Sequence, residues 1–576
     1  MTMNPNSIWR NMMRPEANAA QCMETGRNRL LVTGVMFMIA FAAIGVRLVD
    51  LAFFDRGGDL RTASHAKAAT TVTSTRADII DRNGVVLATS LPTASLYADP
   101  HDIMDATEAA QKLSEVLPSL NTAEIEMKLN SMGRFVWISR NLTPKQQYAV
   151  NRLGIPGLSF QYGEKRVYPH GPEAAHVLGL TDVDGNGIAG VEQYFAEVLS
   201  KGDEPLQLSI DIRIQSILRA ELIKAVTEFS AIGAAGLVMD VETGEVVAMT
   251  SLPDYDPNSP ASVSGSSGFN RATKGVYEMG STFKLFTTAM ALDSGTVGLS
   301  DGYDTTDPIR VARFTINDFH GKKRWLSVPE ILTYSSNIGT AKMALDVGTE
   351  GQKFYLERLG LLQQASIELP EVGAPLSPSR WSDISTMTIS YGHGIAVSSL
   401  QVVDAVSTLV NGGIRRPVTL LKQRSQIPIA GTRVLAADTS DRMRMLMRQV
   451  VTDGTGRNAG APGYLVGGKT GTAEKLMNGG YHKEQVIASF VGTFPMDKPR
   501  YVVLAMVDEP KGIKRTFNYA TGGWVAAPVV KNVITRMATL LGVVPRNDDV
   551  PGGHNAGKGG SALTAMRAGG RKVATY

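Results

Sequence analysis

The first apolar stretch of the chain is long and carries no charge. Residues 30–46 read LLVTGVMFMIAFAAIGV, and Leu48 and Val49 extend this stretch beyond a single arginine. A membrane-spanning helix needs about 20 mostly apolar residues, and an arginine near its end can reach the interface. The pattern therefore predicts one transmembrane helix over residues 30–49. A cleaved signal peptide is the alternative, but the leader is long and no small-x-small cleavage site follows.

The charges before this stretch predict its orientation. Four arginines precede it, at Arg10, Arg14, Arg27 and Arg29. Positive residues stay on the cytoplasmic side, and no second apolar stretch of this length follows. We therefore expect the N-terminus in the cytoplasm and everything after the helix outside it, where no ATP is available.

Further along, short apolar runs separated by turn residues predict three hairpins. The first covers residues 76–88 around Asn83-Gly84, and the second covers residues 237–249. The third pairs residues 486–494 with residues 501–507. Helical periodicity dominates between the second and third hairpins.

Changes of composition predict the module boundaries. A new module begins near residue 206, and glycine and basic residues replace the apolar pattern from about residue 545. The predicted organisation is a cytoplasmic tail at 1–29, the transmembrane helix at 30–49, a stalk with an N-terminal module at 50–205, a larger module at 206–541 and a disordered tail at 542–576.

Composition also excludes several classes of protein. The 58 Lys and Arg residues nearly balance the 54 Asp and Glu residues, and no dense basic stripe is present, which argues against nucleic-acid binding. The single cysteine, Cys22, excludes an intramolecular disulfide and a Cys-rich metal site. The eight histidines form no His-x-x-x-His pair. We expect neither a metal nor another cofactor.

One segment combines a potential nucleophile with a potential base. Ser281 and Lys284 begin the helical run STFKLFTTAMAL. Apolar residues of this run share one face, and Ser281 and Lys284 lie one turn apart on the opposite face, where hydroxyl and amine can touch. A serine needs a neighbouring base to take its proton, and a lysine can be that base when burial and nearby positive charge lower its pKa.

Two further motifs carry polar side chains that suit this chemistry. Ser335-Ser336-Asn337 is expected in a loop between two helices, and Lys469-Thr470-Gly471-Thr472 occurs once. Residues 463–470, GYLVGGKT, also complete a phosphate-loop pattern. A phosphate loop follows a buried strand and precedes a helix, whereas the residues before this one are rich in glycine and those after it show no helical period. A nucleotide-binding site is therefore rejected.

Together and in this order, the motifs resemble those of the penicillin-binding proteins and serine β-lactamases. S-x-x-K is Ser281 to Lys284, S-x-N is Ser335 to Asn337, and K-T-G is Lys469 to Gly471. The segments that resemble class B penicillin-binding proteins are residues 76–88, 166–179, 182–192 and 453–475. The last of these is most similar to the division-specific peptidoglycan D,D-transpeptidases of that class. The resemblance covers roughly residues 30–540.

This resemblance implies a fold and a reaction. The fold is an α/β penicillin-binding transpeptidase domain, β-lactamase-like, with an antiparallel sheet flanked by helices. A mostly β, dimerisation-like N-terminal pedestal would precede it. Ser281 attacks the carbonyl of the peptide bond between the two terminal D-alanines of a peptidoglycan stem peptide, and Lys284 is the general base. An amine of a neighbouring stem peptide then takes the acyl group, and β-lactams acylate the same serine.

The other roles follow from the resemblance in the same way. Ser335 relays protons to the leaving amine, and Lys469 supplies positive charge. The substrate-binding residues are Asn337, Thr470, Gly471 and Thr472. The backbone N–H groups of Ser281 and Thr472 form the oxyanion hole.

The resemblance also implies a location and partners. The chain would be a single-pass protein of the bacterial inner membrane, with its catalytic domain in the periplasm. Its partners would be divisome membrane proteins, including a SEDS-type glycosyltransferase.

Several readings stay open at this point. A D,D-carboxypeptidase or a β-lactamase would use the same machinery, and a non-catalytic divisome scaffold or β-lactam sensor would use the N-terminal module. Three positions stand apart from the resemblance: Ala77 and Met279 replace a more usual glycine and proline, and His393 has no assigned role.

Overall fold

The computed structural model describes residues 34–45, 76–202, 204–311, 314–423, 430–477 and 480–546. Residues 34–45 are helical, and their side chains are exposed. Within these ranges, no helix combines the length and apolar character needed to cross a membrane. The rest of the predicted transmembrane helix, the cytoplasmic tail with Cys22, the stalk up to residue 75 and most of the C-terminal tail lie outside the described residues.

The N-terminal module mixes a sheet with helices. Its strands are β1 (Ile79–Ile80), β2 (Val86–Ala98), β3 (Val136–Leu142), β4 (Leu158–Val167) and β5 (Leu206–Gln207). Its helices are α1 (Ala106–Val116), α2 (Thr122–Leu129), α3 (Pro144–Asn151), α4 (Ala175–Leu178), α5 (Gly190–Tyr194) and α6 (Ala196–Leu199). The long strand β2 pairs with β1, β3 and β4, and the predicted hairpin around Asn83-Gly84 is confirmed as β1–β2.

The prediction that this module is mostly β is wrong, because helices cover one side of the sheet. Helices α1 and α2 begin after Asp105 and Asn121, whose side chains accept hydrogen bonds from backbone N–H groups of the first turn. Leu113 of α1 and Ile125 of α2 then enter one apolar core with Leu96 of β2. The capping residues and the apolar spacing of these two helices together account for the helical layer.

The larger module is built around one antiparallel sheet. The remaining strands are β6 (Gly233–Asp240), β7 (Val246–Leu252), β8 (Val276–Tyr277), β9 (Gly302–Asp304), β10 (Ile309–Val311), β11 (Phe314–Ile316), β12 (Trp325–Ser327), β13 (Val397–Ser398), β14 (Ile414–Arg415), β15 (Thr432–Arg433), β16 (Gly467–Met477), β17 (Gly480–Phe494) and β18 (Tyr501–Asp508). Five of them form the sheet in the order β16-β17-β18-β6-β7. The predicted second and third hairpins are confirmed as β6–β7 and β17–β18, and β16 lies at one edge.

Helices cover both faces of this sheet. The helices of the module are α7 (Ile212–Glu228), α8 (Lys284–Asp293), α9 (Val328–Tyr334), α10 (Asn337–Val347), α11 (Thr349–Arg358), α12 (Asp383–Ser390), α13 (Ser399–Val410), α14 (Ala437–Thr452) and α15 (Ala526–Leu540). Helices α7 and α15 pack on one face, and α13 packs on the other. Every residue of β18 is buried, and successive residues of this strand enter the two apolar cores in turn.

Candidate active site

Ser281 lies on a tight turn rather than on an α-helix. Residues Gly280–Phe283 form a 3₁₀ turn, and α8 begins only at Lys284. The prediction of an α-helix starting at Ser281 is therefore wrong by one turn. The conclusion about spacing still holds, because a 3₁₀ turn has three residues per turn and aligns side chains three positions apart.

Helix α8 also lacks the polar face that the sequence predicted. Its residues from Lys284 to Leu292 are all buried, and Lys284 is the one ionisable residue among them. The helix packs against other helices on several sides, among them α10, α14 and α11. Periodicity fails for such a helix because no side of it meets water.

Backbone contacts fix the position of the Ser281 turn. Gly280 adopts a positive φ of 53°, and its N–H donates to the carbonyl of Gly392 at 3.2 Å. A Cβ on Gly280 would collide with the carbonyl oxygen of Thr472, and a Cβ on Gly392 would collide with the backbone of Gly280. Only glycine at both positions allows the turn to lie this close to β16 and to the loop after α12.

The amine of Lys284 meets the Ser335-Ser336-Asn337 motif. Lys284 Nζ donates to the carbonyl of Ser335 at 2.5 Å and to Asn337 Oδ1 at 2.7 Å. It also lies 3.1 Å from Ser335 Oγ. Lys284 is wholly buried, whereas Ser335 and Asn337 are half-buried.

The motif itself joins two helices, as the sequence predicts. Ser335 ends α9 in the left-handed conformation (φ 61°), Ser336 caps α10, and Asn337 is the first residue of that helix. The carboxylate of Asp318 holds this junction. It accepts from Ser336 Oγ at 2.7 Å and from the backbone N–H groups of Asn337 at 2.6 Å and Ile338 at 3.0 Å.

Lys469 reaches the same point from the sheet. It lies on the edge strand β16, is wholly buried, and its Nζ donates to Ser335 Oγ at 2.9 Å. Two threonines on β16 are tied to neighbouring loops. Thr470 Oγ1 lies 2.9 Å from Thr455 Oγ1, and Thr472 Oγ1 accepts from the backbone N–H of Gly522 at 3.1 Å.

Gly471 allows β16 to approach the Ser281 turn. A Cβ there would collide with the backbone carbonyl of Met279 and with the hydroxyl of Ser489. Because β16 runs directly into the hairpin with β17, no helix follows Lys469-Thr470 as a phosphate loop would require.

The electrostatics of the site favour a neutral amine on Lys284. Burial, strengthened by the positive charge of Lys469 and opposed by Asp318, lowers the pKa of Lys284 well below its ordinary value. Burial lowers the pKa of Lys469 to about 7. Since two ammonium groups around one hydroxyl repel each other, Lys284 is the neutral amine of the pair, and Lys469 carries its positive charge below about pH 7.

His393, which had no role in the sequence analysis, lies beside this site. Its ring packs between Tyr391 and Tyr481, with ring centroids 5.4 and 5.6 Å away. Burial and then the charge of Lys284 lower the pKa of His393 to about 4, so that the ring is neutral near pH 7. Glu278 ties the same loop down by accepting from the N–H of Gly394 at 2.8 Å.

Four of the predicted catalytic and binding residues, Lys284, Ser335, Asn337 and Lys469, therefore meet through direct hydrogen bonds. Sequence reasoning missed Asp318 and Glu278, which belong to no recognisable motif. Across the described ranges, no three His, Cys, Asp or Glu side chains group as metal ligands would.

Family models match two parts of the chain. Residues 234–535 match the penicillin-binding protein transpeptidase domain, and residues 71–201 match the penicillin-binding protein dimerisation domain. The first match alone covers more than half of the chain, and it contains all of the residues that meet at Ser335.

Individual proteins are similar over most of the chain. The probable peptidoglycan D,D-transpeptidase FtsI of Caulobacter vibrioides is 39% identical, with 93% of this chain and 92% of that protein covered. The peptidoglycan D,D-transpeptidase FtsI of Escherichia coli K12 is 30% identical, with 85% and 87% covered. The transpeptidase domain of penicillin-binding protein 3 from Burkholderia pseudomallei superposes with a TM-score of 0.53 at 35% identity, covering 59% of this chain and 97% of that one.

Proposed function

We propose that this chain, which belongs to the class B penicillin-binding proteins, is a peptidoglycan D,D-transpeptidase that works through an acyl-enzyme on Ser281. One observation carries the proposal. The two buried lysine amines meet at a single hydroxyl, Ser335 Oγ, at 3.1 Å from Lys284 and 2.9 Å from Lys469. Such an arrangement is costly for stability and useful for proton transfer.

The hydrogen bonds of Lys284 suit a general base. A neutral amine has two N–H donors and one lone pair. Its two donors are engaged by groups that can only accept, the carbonyl of Ser335 and Oδ1 of Asn337. The third neighbour of the amine is Ser335 Oγ at 3.1 Å, on the side of the lone pair. We assign to this lone pair the proton of Ser281, which stands one 3₁₀ turn away.

The backbone around Ser281 suits an oxyanion. The Ser281 turn lies against β16 at Thr472 because Gly280 has no side chain. The N–H groups of Ser281 and Thr472 would then donate to the carbonyl oxygen as it gains negative charge. The free edge of β16 would pair with the extended substrate peptide, as an additional strand does.

The carboxylate of the terminal D-alanine would bind beyond the bond that is cleaved. Lys469 supplies a positive charge there, and the hydroxyl of Thr472 retains its proton for donation because its oxygen accepts from Gly522. Thr470 lies beside them, within reach of Thr455. We assign substrate binding to Thr470, Gly471, Thr472 and Asn337.

The reaction balances without a cofactor. Ser281 Oγ bonds to the carbonyl carbon of the penultimate D-alanine, and its proton passes to Lys284. The C–N bond breaks, and the proton reaches the leaving D-alanine amine through Ser335 Oγ. An amine of a second stem peptide then attacks the ester, gives up a proton along the same path and restores the Ser281 hydroxyl. One amide replaces another, so that no ATP is required.

The same acylation machinery serves the rival enzymes. In a D,D-carboxypeptidase or a β-lactamase, water rather than an amine resolves the ester. Long-lived penicillin on Ser281 excludes a β-lactamase. Formation of cross-linked dimers from stem peptides that carry an acceptor amine distinguishes a transpeptidase from a carboxypeptidase. A scaffold or β-lactam sensor without catalysis would support growth after loss of Ser281.

The decisive experiment is covalent labelling with fluorescent penicillin. Ser281→Ala is expected to abolish the label completely, because the ester oxygen is removed. Ser294→Ala, an exposed serine at the end of α8, is the matched control and should label like the wild type. A Ser281→Ala protein that still takes up the label would overturn the nucleophile assignment.

We also propose that residues 30–49 anchor the chain in the bacterial inner membrane, with the catalytic module in the periplasm. The apolar stretch and the preceding arginines support this proposal. A phosphatase that is active only outside the cytoplasm, fused after residue 546, should be active. An inactive fusion that is stably produced would contradict the orientation.

By analogy with the division-specific members of the family, the chain would act at the septum beside a SEDS-type glycosyltransferase. The tagged protein should be enriched at the division site, and co-purification with the glycosyltransferase should survive Ser281→Ala. A uniform distribution around dividing cells would contradict the septal role.

A further inference from the structure

We infer that Asp318 is a positioning residue of the acylation machinery, which holds the Ser335-Ser336-Asn337 motif in place and acts through its negative charge on Lys284. The inference rests on the proposed function and extends it to a residue that no motif marks. Asp318 lies in the segment between β11 and β12, well separated in sequence from Ser281 and from Lys469.

The first argument is the geometry of the carboxylate. Its two oxygens accept three hydrogen bonds of 2.6–3.0 Å, from Ser336 Oγ and from the N–H groups of Asn337 and Ile338. These N–H groups open α10 and have no partner inside the helix. A negative charge is also favourable at this end of a helix. Asp318 therefore fixes where α10 begins and thus where Asn337 stands.

The second argument is the orientation of the Asn337 amide. Its Nδ2 donates to the carbonyl of Asn317, the neighbour of Asp318, at 2.8 Å. The Oδ1 atom must then point the other way, where it accepts from Lys284 Nζ at 2.7 Å. Residues 317 and 318 together set both the backbone and the side chain of Asn337.

The third argument is charge. Two charged groups from separate elements act on the pKa of Lys284: Lys469 from β16 and Asp318. A third titratable group, His393 from the loop after α12, is near enough for Lys284 to lower its pKa. Burial keeps His393 neutral near pH 7. Burial and Lys469 lower the pKa of Lys284, and Asp318 opposes them. Without the Asp318 carboxylate, Lys284 should take up its proton only at a still lower pH.

The test is the rate of Ser281 acylation by fluorescent penicillin, measured as a function of pH in Asp318→Asn. An amide oxygen cannot accept all three hydrogen bonds, so the plateau rate should fall roughly tenfold or more. The acid limb of the pH–rate profile is the range in which the rate falls as Lys284 takes up a proton. Loss of the Asp318 charge should shift this limb to a pH lower by about half to one unit. A purely structural residue would lower the plateau without moving the limb.

Three variants complete the design. Asp318→Glu keeps the charge and should return the acid limb to its wild-type pH. Asp318→Ser is a second neutral replacement, to be used if Asp318→Asn does not fold. Asp105→Asn alters a matched cap, since Asp105 accepts from the N–H of Glu108 at 2.9 Å in the other module, and should leave both plateau and limb unchanged.

Thermal unfolding confirms that each variant is folded before its rates are compared. An acid limb that stays at the wild-type pH in both neutral variants, or a plateau within about twofold of the wild type, overturns the inference. That result is distinct from failure of the proposed function, in which the wild-type protein itself would not be labelled on Ser281.

Discussion

The molecule buries two sets of charged side chains that follow opposite rules. In the N-terminal module, Glu192 of α5 lies between two arginines, with Arg76 Nε at 2.7 Å and Arg166 Nε at 2.6 Å from its oxygens. In the larger module, Lys284 and Lys469 are both wholly buried, carry the same sign and share one serine hydroxyl.

The difference separates a structural cluster from the one to which we assign a function. The arginines and Glu192 compensate one another and tie the start of the described module to α5 and to β4. The hydrogen-bond partners of Lys284 are neutral oxygens, and burial with the charge of Lys469 lowers its pKa more than Asp318 raises it. Perturbed amines that a fold does not neutralise are typical of sites selected for chemistry rather than for stability.

The strongest test of this comparison is Lys284→Met. Acylation of Ser281 should fall about ten-thousandfold, because the proposed general base is lost. The free energy of unfolding should change by no more than about 1 kcal/mol, because relief of the buried amine offsets its lost hydrogen bonds. Penicillin labelling kinetics and denaturant unfolding measure the two quantities.

The exposed Lys274 provides the control for this variant, and Lys274→Met should change neither quantity. A loss of several kcal/mol of stability in Lys284→Met would show that the amine is a structural element after all, and the contrast between the clusters would disappear.

The converse variant is Glu192→Gln. It removes the buried carboxylate that Arg76 and Arg166 share, and the free energy of unfolding should fall by about 3–4 kcal/mol. The fraction that remains folded should acylate at the wild-type rate. Glu197→Gln, an exposed position on α6, is the control and should be neutral. A slower acylation rate in folded Glu192→Gln would couple the two clusters and contradict their independence.

The smallest expected effect concerns pH. Because burial lowers the pKa of Lys469 to about 7, its charge is present below that pH and is lost above it. Acylation by a penicillin should therefore decline by about tenfold as pH rises through this range, since its carboxylate loses a partner. On the acid side, acylation should decline where Lys284 takes up a proton.

A penicillin methyl ester, which has no carboxylate, should show no alkaline decline. Lys469→Arg should remove the decline for the free acid as well, because a guanidinium stays charged at every pH used. An alkaline limb that persists with the ester would assign it to another group.

Much of this picture follows from local patterns in the sequence. The three hairpins were predictable because alternating apolar runs met turn residues, and the motifs of the site were predictable because their side chains are chemically distinctive. The structure then brings Lys284, Ser335, Asn337 and Lys469 together. Their catalytic roles and the transmembrane helix stay predictions.

Other features depend on contacts that sequence patterns do not encode. Nothing in the local sequence distinguishes Asp318 from other aspartates, because its role depends on the N–H groups at the start of α10 that donate to its carboxylate in the folded chain. Helix α8 is buried on all sides, so the apolar periodicity expected of a helix with one solvent-exposed face does not describe it. The capping residues Asp105 and Asn121, by contrast, are local signals for helices, and they argue against a mostly β module.

If Ser281 is the nucleophile that β-lactams acylate, the glycines around its turn limit how this protein can become resistant to them. The N–H of Gly280 donates to the carbonyl of Gly392, and a Cβ on Gly280 would collide with the carbonyl oxygen of Thr472. Any single substitution at Gly280 or Gly392 therefore moves the serine itself and harms the natural reaction along with the inhibitor. Resistance is then expected to arise at positions whose side chains can change without shifting the hydroxyl oxygen of Ser281.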